Sequence, residues 1–150
     1  MDLSQLRPIN QIQLHNYNKD PSNLLNLYNM KKLPNKIILS GSKGIGKATM
    51  AYHLINYIFS KSEDFQYNVN KFQINPSNKS FNLVNKNSHP NFHLIDVAND
   101  KKTIEISQVR KMIEYSNKSS FNNKEKIILI DNVEYLNQSS SNALLKIIEE

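Results

Sequence analysis

The chain has 150 residues, 39% of them hydrophobic and 21% charged, with a formal net charge of +6 and no cysteine. That length suits one domain, or part of one, with a real core, and the missing cysteine excludes a disulfide frame and any thiolate metal site. No run of 18 apolar residues is present to span a membrane, and the opening "MDLSQLRPIN" has neither the basic start nor the apolar stretch of a secretory signal, so a cytoplasmic location is expected. The positive charge is almost all lysine, with Arg7 and Arg110 the only arginines. Those lysines are scattered among many asparagines, the usage of an AT-rich genome, so a solvated surface is the simpler reading than a nucleic-acid footprint.

In chain order, "SNLLNLYNMK" (22–31) sets Leu24, Leu25, Leu27 and Tyr28 at helical spacing behind an Asp20-Pro21-Ser22 cap. "LPNKIILSG" then gives Ile37, Ile38 and Leu39, a wholly apolar run of the kind a buried parallel strand shows. "KATMAYHLINYIF" (47–59) places Ala51, Leu54, Ile55, Ile58 and Phe59 on one helical face. Residues 61–90 are rich in Asn, Ser and Lys and are expected to form an irregular polar insertion. "NFHLIDV" (91–97) reads as a strand. "TIEISQVRKMIEY" is expected to be extended at Ile104 and Ile106, then helical from Ser107 with Val109, Met112 and Ile113 inward. "SSFNNKEK" is a loop, "KIILID" (126–131) a strand ending in an acid, and "NQSSSNALLKIIEE" a helix with Ala143, Leu144, Ile147 and Ile148 on its apolar face. Strands alternating with helices predict an α/β fold with a parallel sheet flanked by helices. Its parts are a strand–loop–helix over 36–59, the insertion over 61–90, and an acidic strand with its helix over 126–150.

The chemistry concentrates at "SGSKGIGKAT" (40–49), which follows the phosphate-loop pattern at Gly41, Gly46 and Lys47. Residues Gly41, Ser42, Lys43, Gly44, Ile45, Gly46 and Lys47 would turn backbone N–H groups toward a phosphate at a helix N-terminus. Gly44 and Gly46 permit the backbone angles, and Lys47 supplies a point charge. The pattern then calls for a hydroxyl, but Ala48 stands there and the hydroxyl comes one residue late, as Thr49. Asp131, at the end of an apolar strand, is the natural Mg²⁺-associated acid of such a site.

"GSKGIGKATMAYHLINYIF", "SHPNFHLID", "ISQVRKMIE" and "IILIDNVEYLNQSSSNALLKIIEE" together resemble the delta-prime family of bacterial DNA polymerase III clamp-loader subunits, within the AAA+ superfamily. The resemblance runs from about Leu6 to Glu150 and is most specific in the last segment. It implies a P-loop AAA+ core, a role in loading the sliding clamp onto primed DNA, and gamma/tau and delta subunits as partners. It implies ATP or ADP with Mg as the cofactor. It also implies a further core strand, a lid and an arginine-finger segment not found before Glu150, so the chain is expected to be an N-terminal portion, incomplete at the C-terminal end.

Two departures bear on mechanism. Active relatives carry a water-orienting glutamate after the strand-end acid, and here that residue is Asn132, which is no carboxylate base. Ala48 has no oxygen to offer Mg²⁺, and Thr49 on a continuing helix is rotated by about 100° from that position. The zinc module of many relatives needs cysteines, so no zinc is expected. The resulting expectation is a non-motor subunit, not an active ATPase by itself, within the DNA polymerase III complex. The alternative is a gamma/tau-type motor ATPase in which Thr49 and Glu134 serve by altered geometry. A small P-loop kinase would need arginines to clamp phosphates, and neither arginine lies near the loop. His15, His53, His89 and His93 have no metal-ligand spacing, and "LRPIN" offers Arg7 and Pro8 as weak binding candidates near an adenine.

Overall fold

The computed structural model describes residues 3–15 and 20–150, without the Asp20 side chain to which a capping role was assigned. The chain divides into two compact units, Met1–Lys86 and Asn87–Glu150.

The first unit is built around one helix. Helix α1 (Asp20–Asn29), α2 (Lys47–Ser60) and α3 (Lys79–Asn85) are its α-helices, with short 3₁₀ turns at Leu3–Leu6 and Pro8–Asn10. Helix α2 is apolar enough to be surrounded: from Met50 to Ser60 every residue except Leu54 is buried, so burial extends well beyond the single face predicted from periodicity, while Leu54, expected on that face, is only half-buried. Polar side chains enter this packing through hydrogen bonds, with Asn56 Oδ1 and Asn85 Oδ1 the buried side-chain atoms left without a partner among the described residues. The Tyr57 hydroxyl donates to Asn29 Oδ1 at 2.6 Å. Asn78 is fully buried and caps α3, its Oδ1 accepting from Phe81 N at 2.8 Å and Asn56 Nδ2 at 3.1 Å while its Nδ2 donates to Phe65 O.

The second unit holds the sheet. Strands β1 (Phe92–Ile95) and β2 (Ile127–Ile130) pair in parallel, with Phe92 opposite Ile127 and Ile95 opposite Ile130. Parallel neighbours need a crossover, and α4 (Ile106–Asn117) supplies it. Val109 and Met112 of α4 join Ile95 and Ile104 in a buried core, on which Ile113, Ile128, Ile130 and Leu136 pack together with Ala143, Leu144 and Ile147 of α5 (Gln138–Glu149). Ser140, fully buried, donates its hydroxyl to Ile104 O at 2.9 Å, and Asn137 caps α5 through Ser140 N at 2.8 Å. Lys126 closes the other end of α4, its ammonium donating to the carbonyls of Tyr115, Ser116 and Lys118, where a cation suits the negative end of the helix dipole.

The α/β class and parallel pairing expected from the sequence are those observed, and four details differ. Ile37–Leu39 pairs with no strand among the described residues, and Ile38 is 90% exposed; an apolar run becomes a strand only where a neighbour accepts its hydrogen bonds. The 61–90 stretch is more regular than predicted. It contains α3, and it is tied down by antiparallel bridges of Gln73 to Gln13 and Asn68. Polar composition hid the Asn78 cap, whose bonds make the turn into α3. Ile106 begins α4 instead of extending the preceding segment, because Glu105 and Gln108 form a reciprocal capping box there. Ile148 is 44% exposed and stands outside the core that the rest of its predicted face joins.

One buried pair predicts a pH dependence. His53 is 2% exposed; its Nε2 lies 2.9 Å from Gln11 O and its Nδ1 2.8 Å from the Tyr67 hydroxyl. A carbonyl only accepts, so Nε2 carries the proton and Nδ1 accepts from Tyr67. Loss of hydration on burial pulls the His53 pKa from 6.5 down to about 4, with the Gln11 bond opposing the shift. The folded state therefore binds fewer protons than the unfolded state between those values. The stabilisation is complete above pH 6.5 and is lost as pH falls toward 4, a change on the order of 3 kcal/mol. Urea unfolding followed from pH 7.5 to 4 is expected to show this slope, and His53→Gln, which keeps a donor and an acceptor, should flatten it.

Candidate functional site

The phosphate loop has the backbone that its glycines promise. Gly44 has φ +81°, and Gly46, at the N-cap of α2, has φ 94° and ψ 23°, a left-handed conformation that costs an L side chain roughly 1–2 kcal/mol. Ile45 N donates to Ser42 O at 3.3 Å, closing the turn between them, and Met50 N donates to Gly46 O at 2.9 Å, opening the helix. The first-turn N–H groups of Lys47, Ala48 and Thr49 have no acceptor within their own helix, and the helix dipole adds positive potential there. Lys47 folds back over the loop, its Nζ donating to Gly41 O and Ser42 O at 2.9 Å each. An ammonium has three donors, so these two bonds leave one. Gly41 to Ile45 are exposed, while Gly46, Lys47, Ala48 and Thr49 are half-buried. Ala48 and Thr49 are the second and third residues of α2, and only Thr49 carries a side-chain oxygen.

Asp131 belongs to the second unit and the loop to the first. Beside Asp131 the structure brings a residue that the sequence reading did not single out. Because Ile95 lies opposite Ile130, the next residues, Asp96 and Asp131, stand side by side at the C-terminal ends of β1 and β2, the edge at which parallel α/β sheets bind ligands. Asp131 N donates to Ile95 O at 2.9 Å, extending the ladder by one bond. Asn132 follows in a left-handed conformation, φ 53° and ψ 46°, which asparagine tolerates better than most residues. Its backbone N–H donates to Asp131 Oδ1 at 2.8 Å and its side-chain Nδ2 to Asp96 Oδ1 at 2.8 Å. That same Asp96 oxygen accepts from Val97 N at 2.7 Å, and Gln108 Nε2 of α4 donates to Asp96 O at 2.7 Å. Glu134 sits exposed on the 3₁₀ turn Val133–Tyr135. A signal for Asp96 was present in "HLID" and "ILID", two strands with the same acidic ending, but only the register makes neighbours of their acids.

Among the described residues no group of three His, Cys, Asp or Glu side chains is placed to hold a metal ion, and no helix is long and apolar enough to cross a membrane. Arg7 precedes the 3₁₀ turn that Pro8 opens, and both are exposed.

The profile of the family described as DNA polymerase III, delta subunit matches residues 18–150. The chain belongs to this family. Similar curated proteins include the DNA polymerase III subunit delta' of Buchnera aphidicola subsp. Schizaphis graminum, 28% identical over 85% of this chain and 37% of that protein. The DNA polymerase III subunit gamma/tau of Mycoplasma genitalium is 31% identical over 96% of this chain and 23% of its own length. The DNA polymerase III subunit gamma of the same Buchnera is 32% identical over 83% of this chain and 32% of its own. The chain thus spans about a third or less of the length of most such relatives, and both delta' and gamma-type subunits stand among them.

The loop geometry makes a direct prediction. Gly46→Ala forces a side chain into a left-handed N-cap and should destabilise the first unit by about 1–2 kcal/mol, whereas Ser42→Ala, at an exposed turn, should stay within about 0.5 kcal/mol of the parent. Urea unfolding of the two variants beside the parent chain checks this.

Proposed function

We propose that this chain serves as a non-motor subunit of a bacterial clamp loader, with an AAA+ core that holds nucleotide without hydrolysing it. The partners in this reading are the gamma/tau and delta subunits of DNA polymerase III, the sliding clamp and primed DNA are reached through the assembly, and the location is cytoplasmic. Membership of the DNA polymerase III delta family supports the setting. The observation that carries the non-hydrolytic part is the state of Asn132: its amide is spent on Asp96, and it offers no carboxylate to a water.

ATP or ADP fits the first unit in one respect and not in another. The left-handed glycines, the first turn of α2 and the Lys47 ammonium make a surface for phosphate oxygens. Residues Gly41 to Lys47 would hold the phosphates, with Ala48 and Thr49 contributing backbone N–H groups. The Mg²⁺ side is poorer, because Ala48 provides no ligand and Asp131 is the one acid assigned to the ion. Mg²⁺ would supply charge neutralisation at the phosphates when bound; the chain's own residues supply position and hydrogen bonds, but no general base. With two electrostatic groups missing, at ~10²–10³ in rate for each, hydrolysis should fall to background.

The alternative is a gamma/tau-type motor, and the gamma-type relatives are the observation in its favour. Steady-state ATP hydrolysis and equilibrium binding of a fluorescent ADP separate the two. For the holder, the chain binds ADP, Lys47→Ala loses that binding, and turnover stays at the no-enzyme level. Turnover near ~1 s⁻¹ or above, abolished by Asp131→Asn, would establish the motor instead.

A further inference from the structure

The loop between α4 and β2 is tied down at three points. At its start, Lys126 donates to the carbonyls of Tyr115, Ser116 and Lys118, with its ammonium 4.3 Å from the centre of the Tyr115 ring. At its apex, the side chain of Asn91 pairs with both backbone groups of Phe121. Its Oδ1 accepts from Phe121 N at 2.7 Å, and its Nδ2 donates to Phe121 O at 3.0 Å. At its end, Ile127 N donates to Asn91 O at 2.8 Å. Asn91 is 2% exposed, so a buried amide does the clamping. Just past the apex, Asn122 and Asn123 both take left-handed backbones, φ 54° and 53°, which residues other than glycine adopt at a cost.

The ring that this scaffold carries is left outside: Phe121 is 58% exposed. A single exposed apolar residue is ordinary. One whose backbone is fixed on both sides is not, because ordering the chain costs entropy that an exposed ring does not return. Around it Lys118, Ser119, Asn122, Asn123 and Lys124 are exposed, and Glu125 is the one acid between Asn117 and Lys126. Asn91 precedes β1 and Lys126 precedes β2, so the loop lies at the opposite end of the sheet from Asp96 and Asp131. It is separate from the residues assigned to nucleotide.

We propose that the Phe121 loop is a protein-docking surface, a rigid aromatic anchor in a polar, cationic rim, and that its partner offers an apolar pocket edged by acidic residues. Aromatic residues are enriched where protein interfaces are most buried, and an anchor fixed beforehand loses less freedom on docking. Lys118 and Lys124, three residues to either side of the ring, set orientation and association rate. Nucleic acid fits less well, because single strands stack successive bases on several aromatic rings and this loop has one. The surface is read from this chain alone; the choice of proteins to try rests on the clamp-loader reading above.

The test titrates the labelled 150-residue chain with the purified sliding clamp, gamma/tau and delta proteins of its own organism, one at a time, in ~0.1 M salt. One of the three is expected to bind. Phe121→Ala should weaken that complex by about tenfold or more, while its unfolding midpoint stays within about 2 °C of the parent's, as for an exposed side chain. Phe65→Ala, which removes a ring of similar exposure (51%) from the first unit, should leave the affinity within about twofold. Lys118→Glu/Lys124→Glu should slow association and reduce its dependence on salt. Binding that Phe121→Ala leaves unchanged overturns the surface and leaves the clamp-loader reading standing, whereas no binding to any of the three overturns the partners proposed there as well. Equal losses from Phe121→Ala and Phe65→Ala also overturn the surface. So does a Phe121-dependent complex with a ~20-nucleotide single strand and with none of the proteins.

Discussion

The pairing of Ile95 with Ile130 in one parallel register is the constraint on which the second unit's chemistry depends. Side chains alternate with a period of two along a strand, so a one-residue slip would turn Ile128 and Ile130 away from the Ile104–Val109–Met112 core and set Ile127 and Leu129 against it instead. The register is held at both ends. At the start, buried Asn91 accepts Ile127 N on its carbonyl at 2.8 Å and pairs its side chain with the backbone of Phe121. At the finish, Asp131 N reaches Ile95 O. The same register that buries the isoleucines sets Asp96 beside Asp131, so the acidic edge follows from the packing beneath it.

In the first unit the corresponding constraint is the left-handed N-cap of α2. Gly46 lets the chain enter the helix with the loop's carbonyls facing Lys47, and the two bonds from Lys47 Nζ hold the loop in that shape. A lysine that satisfies loop carbonyls on its own is a brace as well as a charge. The loop keeps this shape although Ala48, the second residue of α2, brings no side-chain oxygen to it.

Much of this was legible in the sequence, for reasons that differ by element. Helix α4 was readable because Val109, Met112 and Ile113 repeat at helical spacing, and β1 and β2 because short apolar runs sit between turns and polar loops. The loop was readable from glycine chemistry, which is local. What escaped depends on partners. Ile37–Leu39 has a strand's composition but no paired neighbour among the described residues, and α3 was hidden because its decisive residue is a buried polar cap, Asn78, in an Asn-rich segment. His53 and Asn56 interrupt an apolar helix pattern, and only their bonds to Tyr67, Gln11 and Asn78 explain why they are inside. Asp96 is silent in the sequence because its side-chain partner, Asn132, lies 36 residues later.

A loop that presents left-handed glycines and Lys47 but no side-chain oxygen at position 48 should bind nucleotide with little help from Mg²⁺. Calorimetric titration of the chain with ADP, in excess Mg²⁺ and again in excess EDTA, tests it most directly. With no hydroxyl at position 48 to ligate the ion, the two affinities are expected to lie within about threefold of each other, a difference below ~0.7 kcal/mol. A loss of tenfold or more on removing Mg²⁺, reversed when the ion is returned and absent in Asp131→Asn, would contradict it.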